Sequence, residues 1–108
     1  MADEDLIEFA TEFREGILGG ASPLLRCAMV CWPLSTLLRM HGVANESVDS
    51  DLGDMNHVWL RLADGRALDP TADQFNVWYP GRNLPSVYLG PPLDIHGASP
   101  PAKHGEQE

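Results

Sequence analysis

The chain has 108 residues and a formal net charge of −9, with 16 acidic side chains against 7 basic ones. That length suits one small domain with a modest core, and the acidic balance argues against a nucleic-acid partner, which needs clustered Lys and Arg. No apolar run approaches the roughly 20 residues of a membrane span, and the acidic start MADEDLIEF lacks the basic opening of a secretory leader. The expected location is cytoplasmic, where Cys27 and Cys31 are free thiols rather than a disulfide.

In chain order, residues 3–18 predict a helix. Leu6, Phe9, Phe13 and Ile17 recur at helical spacing, acidic residues fill the first turn, and Gly19-Gly20 ends it. Ser22-Pro23 predicts the start of a second helix, which runs to a stop at Gly42. On it Cys27, Cys31, Leu34 and Leu38 share one face. Pro33 falls inside this run, so a kink is expected, or two short helices with the second starting near Trp32. Residues 43–56 read as a polar connection with a short strand near Val48, and the acidic run Asp49, Asp51, Asp54 lacks the order of a calcium loop.

Residues 57–71, HVWLRLADGRALDPT, predict a β-hairpin around Asp64-Gly65. Two registers compete. A two-residue loop sets Leu60 opposite Asp69, whereas a three-residue loop with a left-handed Gly65 sets Leu60 opposite Leu68. The second is favoured, because it gathers Val58, Leu60, Leu62 and Leu68 on one face and His57, Trp59 and Asp69 on the other. His57 and Asp69 are then diagonal neighbours within side-chain reach. An aspartate held against one ring nitrogen orients the other outward, as a general base requires. Asp69 before Pro70 also has a purely structural use as an Asx-type turn, and Trp59 one as a core aromatic. Phe75–Tyr79 reads as an irregular aromatic segment and Ser86–Leu89 as a last strand. From Gly90 onward, Pro, Gly and charge predict a disordered tail that includes His96 and His104.

The partner that a His–Asp pair lacks is a nucleophile, and a cysteine early in a helix is a candidate, because the helix dipole and a nearby imidazolium stabilise its thiolate. Cys27, Cys31, Leu34, Leu38 and Gly42, followed by His57-Val58-Trp59 and Asp69-Pro70-Thr71, resemble the core of the transglutaminase-like branch of the papain-like cysteine proteins. The resemblance covers about residues 24–75. It implies an α+β fold, two N-terminal helices packed on a small antiparallel sheet, over residues 1–89, with a tail from 90 to 108. It implies Cys27 as nucleophile, His57 as base and Asp69 as its orienter, with Cys31 in a small-residue slot and as the alternative nucleophile. Trp59 and Gln74 are the candidate substrate-binding residues.

The implied activity is cysteine-dependent acyl transfer on a peptide or protein amide, as hydrolase, deamidase or transglutaminase, without cofactor or metal. The alternative is a non-catalytic protein-binding module on the same scaffold, since a chain this short, with few substrate-binding loops, is suited to present its groove to a partner protein or to gain missing walls as a homo-oligomer. A zinc site from Cys27, Cys31, His41 and His57 is the remaining rival, disfavoured by its spacing.

Overall fold

The structure is a computed structural model that describes residues 1–22, 26–53, 55–79 and 81–97. Two helices lead, α1 (Asp3–Leu18) and α2 (Cys27–Met40). An antiparallel sheet follows in the order β1 (Asn45–Asp51), β2 (Asn56–Leu62), β3 (Ala67–Asp69) and β4 (Tyr88–Gly90). A 3-10 turn (Ala72–Gln74) and the one-turn helix α3 (Phe75–Trp78) join β3 to β4, and a second 3-10 turn (Asp94–His96) follows β4. Among the described residues no helix is long and apolar enough to cross a membrane.

The hairpin adopts the three-residue register. Leu60 pairs with Leu68 and Arg61 with Ala67. Leu62 N–H bonds the Arg66 carbonyl at 2.9 Å, leaving Ala63, Asp64 and Gly65 as the loop. Gly65 has φ +90°, a region that a side chain disfavours. The sequence puts the only residue suited to that angle at the bulge, and this choice decides which side chains β2 and β3 share on each face.

One face carries the main core. Val58, Leu60, Leu62 and Leu68 pack against Leu6 and Ala10 of α1 and Cys27, Cys31, Leu34 and Leu38 of α2. The expected cysteine–leucine stripe is therefore the buried face of α2. This helix is continuous through Pro33, rather than split near Trp32, and its first residue is Cys27. The expected start at Pro23 lies outside the described residues. Pro33 is tolerated because it sits on the exposed side, where water can serve the carbonyl that loses its N–H partner.

The fully buried stripe of α1 is Leu6, Ala10, Arg14 and Leu18; of the expected face, Leu6 is buried, Phe9 and Phe13 pack half-buried against the core, and Ile17 is exposed. Arg14 draws the centre of the buried face toward itself. Its guanidinium grips Asp73 through two hydrogen bonds of 2.7 and 2.9 Å and also donates to the Pro70 and Ser86 carbonyls, both at 3.0 Å. One buried cation thus ties α1 to the segment that follows β3.

The opposite face of the sheet is also covered. Ala72, Phe75 and Ile95 form a second cluster, with Leu52, Met55, Leu84, Tyr88 and Leu93 packed against it. The tail expected from Gly90 is folded as far as Gly97: Ile95 and His96 are each 3% exposed. Composition misled here because the anchors are single residues in a Pro- and Gly-rich run. Residues 98–108, with His104, lie outside the described residues. The strand expected at Val48 extends over seven residues, and the last strand is shifted to Tyr88–Gly90.

Candidate functional site

β3 ends at Asp69, because Pro70 has no N–H to continue a ladder. Strand β2 continues beyond it, and the two cysteines of α2 meet its backbone there. Val58 N–H donates to Cys27 Sγ at 3.4 Å, and Cys31 Sγ donates to the Val58 carbonyl at 3.3 Å. The i, i+4 spacing that puts both thiols on one helix face thus lets them straddle one strand residue.

The end of β3 also places Asp69. Its Oδ1 accepts Thr71 N–H at 3.1 Å, the expected Asx-type turn. Its Oδ2 accepts His57 Nε2–H at 2.7 Å. The two readings of Asp69 describe one side chain, with one oxygen closing the turn and the other holding the histidine. With Nε2 taken by Asp69, His57 presents Nδ1. Gln74 Nε2 lies 3.2 Å from it and also donates to Thr71 Oγ1 at 3.2 Å. Cys27 lies close enough to influence the same ring electrostatically. Phe75 closes the far side, edge-on at 4.8 Å between ring centroids.

The electrostatics follow from these contacts. Burial pushes the Cys27 thiol up, but the His57 ring and the N–H groups of Val58 and Ala28 outweigh it, and its pKa is lowered. Burial alone would lower the His57 pKa, but the hydrogen bond to Asp69 and the neighbouring Cys27 raise it to about 9. Burial opposes the charge on Asp69, and the donors His57 and His96 overcome it, bringing its pKa down to about 2. Each shift favours charge separation, a thiolate beside an imidazolium beside a carboxylate. The Gln74 amide suits either state of Nδ1: it donates to a bare nitrogen and, turned over, accepts from a protonated one.

Cys31 differs in every respect. It is fully buried, and burial together with the negative charges of Asp69 and Cys27 raises its pKa well above the ordinary thiol value. It is a protonated thiol that fills core and satisfies a carbonyl. Trp59 is 2% exposed, and its Nε1 donates to Ser50 Oγ at 2.9 Å, so the expectation that it contacts substrate gives way to a core role. Gln74 is also fully buried and touches His57 rather than an open surface. His41 lies at the opposite end of α2 from Cys27, edge-on to Phe9, so the zinc set of Cys27, Cys31, His41 and His57 does not assemble.

One member of the cluster was missed. His96, assigned to the tail, donates from Nε2 to Asp69 Oδ2 at 2.8 Å. Its Nδ1 accepts Leu93 N–H at 2.9 Å, and its carbonyl accepts Ser50 Oγ–H at 3.0 Å. The only sequence signal for it is a lone Asp94-Ile95-His96 run among prolines and glycines. The donor atoms of His57, Asp69 and His96 lie within 4.8 Å of one another, a set that a transition metal accepts. Here those atoms are joined by direct hydrogen bonds of 2.7 and 2.8 Å, and the buried carboxylate is satisfied without an ion.

Access is one-sided. Cys27 is 8% exposed, whereas His57, Asp69 and Gln74 have no exposed surface. A scan against models of known protein families, a search of curated proteins and a search of solved structures find no match to this chain.

Proposed function

We propose that the protein is a cysteine-dependent acyl-transfer enzyme with Cys27 as nucleophile, His57 as general base and acid, and Asp69 as the orienter of His57. The observation that carries this reading is the placement of the histidine: Nε2 of His57 is fixed on a buried carboxylate, and Cys27, at the first position of a helix, sits against the next residue of the same strand with Val58 N–H on its sulfur. The same order of elements, a helix-terminal cysteine followed by histidine and aspartate on adjacent strands, supports the resemblance to a transglutaminase-like, papain-like core.

In this reaction the Cys27 thiolate attacks the carbonyl carbon of a peptide or glutamine-type amide. The N-terminal end of α2, the positive pole of the helix, is suited to the oxyanion. As the C–N bond breaks, His57 gives its proton to the leaving amine. The acyl group remains on sulfur as a thioester until water or a second amine attacks. His57 then takes the proton of the incoming nucleophile, and the thiol is regenerated. Hydrolysis, deamidation and transamidation differ in that nucleophile and in the amide chosen.

The competing reading is a non-catalytic binding module, and the near-complete burial of His57 is what favours it. Iodoacetamide separates the two. The expected result is rapid labelling of Cys27 well below the ordinary thiol pKa of about 8.5, lost in His57→Ala and retained in Cys31→Ala. Slow labelling of both cysteines, as ordinary buried thiols, would sink the enzyme.

A further inference from the structure

We infer that His96 is a positioning residue of this site: it shares Asp69 Oδ2 with His57, draws off part of the carboxylate's charge, and so limits how firmly His57 holds its proton. The inference rests on the acyl-transfer reading for its purpose, but its geometry is independent of it. His96 is held from three directions, by Leu93 N–H at Nδ1, by Ser50 Oγ at its carbonyl and by Asp69 at Nε2. Because Nδ1 accepts a backbone N–H, the ring proton sits on Nε2 and points at the carboxylate.

Trp59 and Tyr88 flank the ring, with centroids 4.9 and 5.7 Å away. Such a ring has little freedom to turn from Asp69. Arg82 holds Asp94 at the start of the same turn through hydrogen bonds of 2.9 and 2.8 Å, which anchors the segment. Asp69 thus accepts three N–H groups, two of them on one oxygen.

The consequence concerns proton release. A base that protonates a leaving amine must give its proton up, and a pKa far above the working pH makes it a poor acid. A bare buried carboxylate would drive the His57 pKa upward. A second donor on the same oxygen spreads the charge and moderates that rise. The other titratable or charged groups near this pair are Cys27 and Cys31 from α2 and Tyr88 from β4. Tyr88 spends its hydroxyl on the Pro91 carbonyl at 2.6 Å. Arg14 is engaged with Asp73 and the Pro70 and Ser86 carbonyls.

The test is a nitrogen-15 NMR titration of the histidine rings in the full chain, alongside the pH profile of iodoacetamide labelling. His96→Asn keeps an acceptor near Leu93 N–H and loses the donor to Asp69, whereas His96→Gln keeps a donor that reaches Asp69. In His96→Asn the His57 midpoint is expected to rise by about half to one pH unit, roughly a three- to tenfold change in proton affinity. His96→Gln is expected to return it toward wild type. A merely structural role predicts the opposite sign, since loosening the pair lets His57 fall back toward 6.5.

A downward shift or an unchanged midpoint in His96→Asn overturns the proposal. Should that variant not fold, two readings remain: the His57 midpoint in His96→Gln, expected at the wild-type value, and the wild-type His96 ring, expected as the Nε2–H form. A wild-type Nδ1–H form refutes the geometry. Slow labelling of Cys27 with the expected His57 shift discards acyl transfer and leaves the positioning role standing. Rapid labelling with an immobile His57 midpoint does the reverse.

Discussion

Asp69 accepts three hydrogen bonds in a place that has no exposed surface. Removing its charge leaves an amide N–H aimed at an imidazole N–H, and breaking a buried pair in this way costs about 3 kcal/mol or more. Asp69→Asn is therefore expected to lose about that much stability at neutral pH by urea titration, and to lose rapid Cys27 labelling with it. The pH dependence has a definite sign. The folded pKa of Asp69 is about 2, below an ordinary value of 3.8, so its contribution is complete above 3.8 and is lost as the pH falls through 2. Between those values the wild type is expected to weaken more steeply than Asp69→Asn, and parallel acid curves would refute the linkage. At this scale His57 and Asp69 were legible, because one glycine position fixes the register that joins them. His96 was not, since its place depends on contacts with Ser50, Leu93 and Asp69 rather than on any local period.

Helix α2 shows what periodicity reveals and what it leaves out. The stripe of Cys27, Cys31, Leu34 and Leu38 specified its buried face, and Gly42, with φ +82°, marks its end. The run through Pro33 was harder to read, because the tolerance of a proline depends on which side of the helix it faces. Pro33 is exposed, and its ring costs a backbone hydrogen bond without filling the core. Pro33→Ala is therefore expected to stabilise the protein by about 2 kcal/mol, after allowance for the greater freedom of the unfolded chain, with no change in Cys27 labelling. A lower urea midpoint would show that Pro33 itself is needed for the fit of Cys27 and Cys31 against Val58. Strand β1 was only partly legible for a related reason. Its residues, NESVDSD, carry one apolar side chain, and pairing with β2 makes it a strand.

For the molecule as a whole, the sheet is the middle layer of three. Helices α1 and α2 cover one face and bring Cys27 to it, while the short turns on either side of β4, residues 72–75 and 93–96, cover the other and bring Gln74 and His96. The sequence pattern exposed the first two layers, because helices and hairpins carry periods. The third layer is built from one-turn elements, which carry none. The expectation of a free tail from Gly90 and the structure therefore differ in a measurable way. A chain ending at Gly90 loses the burial of Ile95, worth about 2 kcal/mol, and the hydrogen bonds of His96, worth about 1 kcal/mol each. In a domain of this size each kcal/mol moves the melting temperature by about 4–8 °C, so a fall of at least about 10 °C is expected. Trp59 loses its cover of His96 at the same time, so its fluorescence should shift to the red. If the shortened chain melts with the full one and the emission does not move, the third layer does not contribute to the fold, and His96 cannot be holding Asp69.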